Sequence, residues 1–229
     1  MNSTSTDIVR EFPRVPRDVV QQASGFQAAI LADVAGRRGA MHGRIAALRP
    51  RMKVAGTAFT VEVRPGDNLM IHAAMALARP GDVLVVDGKG DLTSALMGTI
   101  MITACRQLGI AGVVIDGAVR DSLEIEEIDY PVFAAGTNPN GPTKSVPGRI
   151  GHPVQCGGVT VHPGDFVLGD ADGVVVVERE KIASLIPLAH RKVQDESARI
   201  EQIRQGNTNA SWLLAALRTA GALKDGETL

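Results

Sequence analysis

Apolar residues recur at helical spacing near the start of the chain and then give way to alternating and continuous apolar runs. Between residues 16 and 37 they fall three or four positions apart before Gly36, which predicts a helix that is broken near Gly25. The alternation from Val54 to Val63 predicts a strand, and the turn after it places Asp67 where it can cap the next helix. This part of the chain is therefore predicted to alternate helices with strands.

Two continuous apolar runs, Val83–Val86 and Val113–Ile115, have the composition of strands that are buried on both faces. A helix-forming stretch, GTIMITACRQLG, lies between them. A strand, a helix and a second strand of this kind predict a parallel pair joined by a right-handed crossover. The first half of the chain is thus expected to have an α/β architecture.

After Asp121 the pattern changes to short strand-like runs separated by Gly, Pro and Asp turns. These runs are Tyr130–Ala135, Val154–Cys156, Val159–His162, Asp165–Leu168 and Gly173–Glu178. Helical spacing then returns in a long amphipathic segment that ends at Gln205 and in a short helix around residues 212–220. Because no linker separates these parts, we predict a single α/β domain over residues 1–229, with a β-rich second half and a C-terminal helical tail over 179–229.

Composition narrows the classes of function. The 24 basic residues are balanced by 25 acidic ones, and the aromatic residues are only five Phe, one Trp and one Tyr, so we expect no nucleic-acid partner. No apolar run approaches the roughly 18 residues of a membrane span, and the N-terminus has no apolar signal region, so we expect a cytoplasmic protein without a membrane partner. Cys105 and Cys156 lack CxxC spacing and the histidines lack metal-binding spacing, which disfavours a zinc site.

The segment Gly88-Lys89-Gly90-Asp91 is the first candidate site, because it follows a buried run and parallel sheets bind ligands at the carboxyl ends of their strands. A dinucleotide fingerprint would need a glycine where Thr93 stands, and a P-loop would end in Gly-Lys-Ser or Gly-Lys-Thr. Both nucleotide sites are excluded. A structural turn is the alternative to a ligand site.

The second candidate is the predicted helix start from Gly98 to Met101. Unpaired backbone N–H groups at a helix start can bind a small carboxylate, and the missing Cβ of Gly98 lets a ligand approach. Arg120 and Asp121, just after the second buried run, form the third candidate. An arginine binds a carboxylate through two parallel hydrogen bonds, and one aspartate oxygen can bind Mg²⁺. Plain helix initiation and a surface ion pair are the respective alternatives.

Four segments, in this order, resemble the RraA-like family, which includes the class II 4-hydroxy-4-methyl-2-oxoglutarate / 4-carboxy-4-hydroxy-2-oxoadipate aldolases. They are PGDNLMIHAAMALARPGDVLVVD, GIAGVVIDGAVRD, YPVFAAGTNPNGPTK and VQCGGVTVHPGDFVLGDADGVVVVERE. The similarity runs from about Phe26 to Gly206. It implies an RraA-like α/β sandwich with a central β core, assembled as a homotrimer or homohexamer whose active sites lie at subunit interfaces.

The resemblance also implies roles for individual residues. Arg120 would bind the pyruvyl carboxylate, and Asp121 would bind Mg²⁺ or Mn²⁺. Asn68 would be a further polar contributor to substrate binding, while Glu196 would match an acidic residue that a neighbouring subunit lends to the site. The backbone that would hold the pyruvyl group is that of Gly98, Thr99, Ile100 and Met101.

The chain departs from the aldolase pattern at Thr99, where the family has an Asp or Glu. A threonine hydroxyl stays neutral, so it cannot orient metal-bound water or move protons as a carboxylate does. Either another acid, such as Asp91 or Glu196, acts instead, or the chemistry differs. The expected reaction is metal-dependent release of pyruvate from a 4-hydroxy-2-oxo diacid, with decarboxylation of oxaloacetate through the same enolate. The alternative is a non-catalytic, protein-binding trimer, similar to the founding members of the family that bind an RNA-degrading enzyme.

Overall fold

The computed structural model describes residues 7–224 and 226–229, and its contacts divide the chain into two compact units. The first unit ends at Ala189 and the second begins at His190. The single domain over residues 1–229 stays a prediction. Among the described residues, no helix has both the length and the apolar character to cross a membrane.

The first unit contains every strand, and most of the helices, of the residues that the structure describes. Its helices are α1 (Arg17–Ala23), α2 (Ala28–Val34), α3 (Leu69–Leu77), α4 (Thr99–Gln107), α5 (Ser122–Ile128) and the start of α6 (Ile182–Arg204). Its strands are β1 (Ala46–Ala47), β2 (Val54–Glu62), β3 (Asp82–Met97), β4 (Gly112–Val119), β5 (Val132–Thr137), β6 (Arg149–Ile150), β7 (Val154–Cys156), β8 (Val159–Val161), β9 (Phe166–Asp170) and β10 (Gly173–Val177). The second unit holds the rest of α6 and α7 (Leu213–Thr219).

The main sheet has the strand order β1-β5-β4-β3-β2-β9-β10, with β6 paired to the end of β2. Strands β2, β3, β4 and β5 are parallel neighbours, whereas β1, β6, β9 and β10 pair in antiparallel fashion. Strands β7 and β8 form a separate hairpin. The predicted α/β class is confirmed, and so is the parallel pairing of β3 with β4 on either side of α4.

Both faces of the central strands are buried, which explains their continuous apolar runs. Leu84 and Val86 of β3 belong to a core cluster that also contains residues of α3, α4 and α5. Val83 and Val85, which alternate with them, face the other side and pack in a cluster with residues of the β7–β8 hairpin. A third cluster joins α1, α2 and the start of α6 to β9 and β10. The ends of the central strands, rather than their buried faces, are therefore accessible to a ligand.

Strand β3 is longer than the sequence indicates, and this changes the interpretation of the first candidate site. Gly88-Lys89-Gly90-Asp91 lies inside β3 instead of following it. Lys89 and Gly90 have left-handed φ values of 62° and 70°, and the pairing with β4 shifts register between Val86 and Asp91. The segment is therefore an irregularity within a strand, and the carboxyl end of β3 lies at Met97.

Of three local predictions, one is confirmed and two need correction. The expected helix over residues 16–37 is broken as predicted, into α1 and α2. The stretch after Asp121 begins with the helix α5, which was not predicted. Ile125 is the only buried residue of this helix, so its sequence has no periodic apolar pattern. The residue at the N-cap of α3 is Asn68, not Asp67, although an Asp67 oxygen does accept the Leu69 N–H at 3.0 Å.

Candidate active site

The carboxyl ends of β3 and β4 bring two of the predicted site segments together. Met97 pairs with Val119 at the ends of these parallel strands, so Gly98 and Arg120 follow at the same edge of the sheet. The Arg120 N–H donates to the carbonyl of Met97 at 3.0 Å, which fixes the backbone of one segment against the other. From the sequence, Arg120 was placed after a buried strand and Gly98 only at a helix start; they meet because β3 extends to Met97.

Asp121 links the two segments through its side chain. Its Oδ2 accepts the N–H of Thr99, the first residue of α4, at 3.0 Å, and the Nε of Arg120 lies 3.6 Å from the same oxygen. The backbone of Asp121 is left-handed, with φ 60° and ψ 42°. Residues other than glycine seldom adopt this conformation, and it concentrates at functional sites. The turn thus directs the carboxylate back to the start of α4.

Gly98 is required here for steric reasons. Its φ of −147° is ordinary extended backbone that any residue can adopt. A Cβ at this position, however, would lie 2.4 Å from the Asp121 Oδ2 and 2.9 Å from the Arg120 Cγ. Glycine therefore lets the Arg120 and Asp121 side chains cross directly over the start of α4.

These segments border a small cavity of about 120 Å³, which we call the inner cleft. It is smaller than the roughly 300–1,000 Å³ of sites for drug-sized ligands, so it suits a ligand of a few heavy atoms. Arg120, Lys144 and His72 are its basic side chains, and Asp121 is its one carboxylate. Its lining residues are Asn68, His72, Ala95, Leu96, Met97, Gly98, Ile100, Met101, Arg120, Asp121, Pro142 and Lys144. The cleft therefore favours a small anion.

His72 and Lys144 were not found by the sequence analysis. His72 lies one helical turn after Asn68 on α3, and this i, i+4 spacing could have identified it as a neighbour on the same face. Burial lowers the pKa of His72 below its ordinary value, and the positive charge of Lys144 lowers it further. Lys144 lies in a loop outside any periodic segment, so no local sequence signal marks it.

Asn68 is buried in the wall of the inner cleft, at 2% exposure. Its Nδ2 donates to the Leu96 carbonyl at 2.8 Å and to the Met101 Sδ at 3.2 Å, which ties the start of α3 to β3 and α4. The Oδ1 is buried and has no hydrogen-bond partner among the described residues. Asn68 thus holds the cleft wall and keeps one unused acceptor.

Asp67 fixes the loop that carries Lys144. Its Oδ2 accepts the Thr143 hydroxyl at 2.7 Å, the Ser145 N–H at 2.8 Å and the Val146 N–H at 3.2 Å. Burial of the carboxyl raises its pKa, but the hydrogen bonds, led by that from Ser145, outweigh burial and lower the pKa to about 2. The carboxylate is therefore the form that the folded protein stabilises.

We expect Asp67 to make stability depend on pH in the acid range. Since the folded-state pKa is lowered from 3.8 to about 2, its contribution is complete above 3.8 and is lost as the pH falls toward 2. Asp67→Asn should cost about 2 kcal/mol at neutral pH and flatten the stability profile in this window. Urea unfolding at pH 2–7 measures both effects, with the exposed Asp172→Asn as control. Parallel profiles for wild type and Asp67→Asn would contradict the prediction.

The remaining predicted residues, Asp91, Glu196 and Thr99, are not among those that line the inner cleft. Asp91 lies on β3, where its Oδ1 accepts the Thr93 hydroxyl at 2.8 Å, and it is not among the residues that line the inner cleft. Glu196 lies on α6 in the second unit, with its Oε1 3.2 Å from the Nζ of Lys192. The Thr99 Oγ1 is buried without a hydrogen-bond partner in the described part of the chain. Acid–base roles for Asp91 and Glu196 stay predictions.

The fold and the cleft together define a mixed α/β protein with a small, basic-lined cleft where the parallel central strands β3 and β4 end. A family model described as RraA-like, Aldolase/RraA, matches residues 18–176. The chain belongs to the RraA-like family, and the resemblance seen in the sequence is confirmed.

Similar proteins differ in the functions that their names give. A protein of Halalkalibacterium halodurans, named as a candidate 4-hydroxy-4-methyl-2-oxoglutarate aldolase, is 43% identical over 147 residues, which cover 64% of this chain and 70% of that protein. The solved structure of Streptomyces coelicolor RraAS2, described as an unusual member of the RNase ES inhibitor RraA family, has a TM-score of 0.76 at 29% identity, covering 82% of this chain and 98% of that one.

The RNA-processing inhibitor RraA of Thermus thermophilis is also similar in structure. Its TM-score is 0.61 at 31% identity, and the likeness covers 66% of this chain and 92% of that one. Proteins similar to this chain therefore include one named as a candidate aldolase and others described as RraA proteins, so family membership alone does not assign the function.

Proposed function

We propose that this protein is a divalent-metal-dependent lyase that releases pyruvate from a 4-hydroxy-2-oxo diacid by retro-aldol cleavage, and that it also decarboxylates oxaloacetate. The observation that carries the proposal is the hydrogen bond from the Thr99 N–H to the Asp121 Oδ2. This bond brings an arginine, a carboxylate and a helix start together at a cleft sized for a small anion. A relative named as a candidate aldolase of this substrate type supports the same chemistry.

Arg120 and the first turn of α4 are the groups that would hold the pyruvyl half. The Arg120 guanidinium can bind the carboxylate through two hydrogen bonds. The Thr99 N–H is already bonded to Asp121, which leaves the N–H groups of Ile100 and Met101 for the substrate, because the first turn of a helix lacks intrahelical acceptors. The substrate is thus oriented by backbone groups that do not depend on the side chain at residue 99.

Asp121 suits a divalent cation that keeps most of its waters. Only its Oδ2 is engaged within the described residues, and its side chain is 34% exposed. No cluster of three His, Cys, Asp or Glu side chains able to hold a metal occurs in the part of the chain that the structure describes. Mg²⁺ often takes only one or two protein carboxylates. When bound, Mg²⁺ or Mn²⁺ supplies a Lewis acid for the negative charge that develops on the 2-oxo oxygen.

The bond changes define what the side chains of the cleft must do. As the C3–C4 bond breaks, the 4-hydroxyl loses its proton and becomes a carbonyl, and the bonding pair passes to C3 as the enolate of pyruvate. A proton on C3 then completes pyruvate. Thr99 is neutral and cannot move these protons. His72 lines the cleft with a lowered pKa, so its neutral imidazole is a proton acceptor near pH 7.

The rim of the cleft supports self-association as a homotrimer or homohexamer. Ile100, which lines the cleft, is 84% exposed, and Leu123, just after the Arg120–Asp121 pair, is 67% exposed. Exposed apolar side chains beside a site are typical of a surface that a protein partner covers. We propose that the partner is a second copy of this chain.

A face of α6 in the second unit supports the same assembly. Val193, Glu196, Ile200 and Ile203 recur at spacings of three and four, so they share one side of the helix. The three apolar residues of this set are exposed. Packing of this face on another copy would present Glu196 to that copy, which is how a neighbouring subunit would lend its carboxylate to the site.

The test is release of pyruvate from 4-hydroxy-4-methyl-2-oxoglutarate and from oxaloacetate, with Mg²⁺ and with excess EDTA. We expect release with Mg²⁺, the protein-free rate with EDTA, and recovery when Mg²⁺ exceeds the chelator. Protein-free reactions at each metal concentration are the control, because oxaloacetate decarboxylates without enzyme. Equal protein-dependent rates with and without chelator would overturn the metal requirement, and no rate above the protein-free control would overturn the lyase.

Thr99 favours a second candidate function, a non-catalytic protein-binding trimer. A buried, neutral hydroxyl stands where the aldolase pattern has a carboxylate, and two structural relatives are described as RraA proteins. Absence of pyruvate release from both substrates, together with tight binding to an RNA-degrading enzyme, would favour this function over the lyase. The shared engagement of Arg120 and Asp121 at the cleft supports the lyase.

A further inference from the structure

A second cavity lies beside the inner cleft and shares its two charged residues. This outer cavity has a volume of about 300 Å³. Arg120 and Asp121 line both cavities, so the pair forms a boundary between them. The other residues of the outer cavity are Ser122, Thr137, Asn138 and Pro139.

The lining of the outer cavity offers hydrogen-bond donors but no additional charge. The hydroxyls of Ser122 and Thr137 make no hydrogen bond with any described residue, so each is free to donate to a ligand. Asn138 is already engaged: its Nδ2 donates to the Leu92 carbonyl at 2.7 Å, and its Oδ1 accepts the Asn140 N–H at 2.8 Å. The cavity therefore combines two adaptable hydroxyls with a fixed amide wall.

We infer that the outer cavity binds the half of the substrate that contains C4 and leaves as a 2-oxo acid. This inference rests on the proposed function, because it divides a diacid between two cavities at the Arg120–Asp121 boundary. The inner cleft takes the pyruvyl half, and the larger outer cavity takes C4 with its hydroxyl and carboxylate. Ser122 and Thr137 donate to that distal carboxylate and thereby set the preference for a diacid of this length.

The two proposed reactions differ in how much they need the outer cavity. In retro-aldol cleavage the C3–C4 bond breaks, the 4-hydroxyl proton is lost and a whole 2-oxo acid departs. In decarboxylation of oxaloacetate the electron pair of the C3–C4 bond likewise stays on C3, C4 departs as CO₂, and C3 takes a proton from water. Because CO₂ is far smaller than a 2-oxo acid, the outer cavity contributes more to the retro-aldol reaction.

The test compares kcat/KM for both substrates in the variant Ser122→Ala/Thr137→Val. We expect kcat/KM for 4-hydroxy-4-methyl-2-oxoglutarate to fall about tenfold or more, chiefly through KM, because two hydrogen bonds to a carboxylate are lost. The kcat/KM for oxaloacetate should fall much less, so the ratio of the kcat/KM values for the two substrates changes. Ser184→Ala, which removes an exposed hydroxyl on α6, is the control and should leave the ratio unchanged.

The outcomes separate this inference from the proposed function. An equal fall for both substrates, or no fall for either, would overturn the outer cavity as the site of the leaving half. Because Thr137 is exposed and valine keeps strand propensity, the thermal midpoint of the variant should stay close to that of wild type. If wild-type protein releases pyruvate from neither substrate, it is the proposed function that fails. If wild-type protein cleaves the diacid and the variant has the same ratio of kcat/KM values, only the assignment of the leaving half to the outer cavity is contradicted.

Discussion

Asp121→Asn is expected to lower pyruvate release by about a thousandfold, because it removes the negative charge that would bind the cation. Asparagine tolerates the left-handed backbone of residue 121 and keeps an oxygen that can accept the Thr99 N–H. Alanine has neither feature, so with Asp121→Ala the effect of losing the charge could not be distinguished from the effect of a local rearrangement. The measurements are kcat/KM with Mg²⁺ and, independently of turnover, the affinity for Mn²⁺ by calorimetry.

Asp129→Asn provides a matched control at the other end of α5. Asp129 also has a left-handed backbone, with φ 52° and ψ 52°, and it lines neither the inner cleft nor the outer cavity. The same substitution there should leave both Mn²⁺ affinity and pyruvate release close to wild type. Wild-type Mn²⁺ affinity in Asp121→Asn would contradict the assignment of Asp121 as the metal ligand, whatever the rate.

The parts of the site that could be predicted from the sequence are two short runs of consecutive residues, one at a helix start and one after a buried strand. Arg120 follows the apolar run Val113–Ile115, Gly98 was predicted as a helix start, and the family resemblance assigned both to one site; the structure shows that they meet where the parallel strands β3 and β4 end. The left-handed turn at Asp121 was not predictable, because aspartate gives no strong signal for that conformation. It is this turn that directs the carboxylate to the start of α4.

The part that sequence analysis missed depends on contacts between distant residues. Lys144 reaches the inner cleft because Asp67 binds Thr143, Ser145 and Val146. The sequence analysis assigned Asp67 only as a helix cap, which describes one of its hydrogen bonds. A carboxylate that accepts several donors from a distant loop leaves no periodic pattern, so that loop could not be placed from the sequence.

The end of β3 could not be located from the pattern of apolar residues. The apolar run at Val83–Val86 was predicted correctly as a strand, but the strand continues through Gly88 to Asp91 and ends at Met97. The apolar run ends where the pairing with β4 changes register, so the end of the strand was placed too early. The candidate site assigned to Gly88–Asp91 therefore lay ahead of the true carboxyl end.

Gly98→Ala is expected to reduce pyruvate release severely, although it changes no functional side chain. The added Cβ would lie 2.4 Å from the Asp121 Oδ2 and 2.9 Å from the Arg120 Cγ, closer than real Cβ contacts. Either the carboxylate leaves the Thr99 N–H or the start of α4 shifts. We expect kcat/KM to fall about a hundredfold or more, since small displacements of positioning groups have effects of that size.

Gly43→Ala is the control for this substitution, because nothing lies within 4 Å of a Cβ at residue 43 and its φ is not in the left-handed region. The double variant Gly98→Ala/Asp121→Asn then tests the cause. If Gly98 acts by leaving room for the Asp121 carboxylate, the alanine should add little further loss once that carboxylate is gone. Fully additive losses in kcat/KM would show that Gly98 acts on the site by another route, through the backbone of α4.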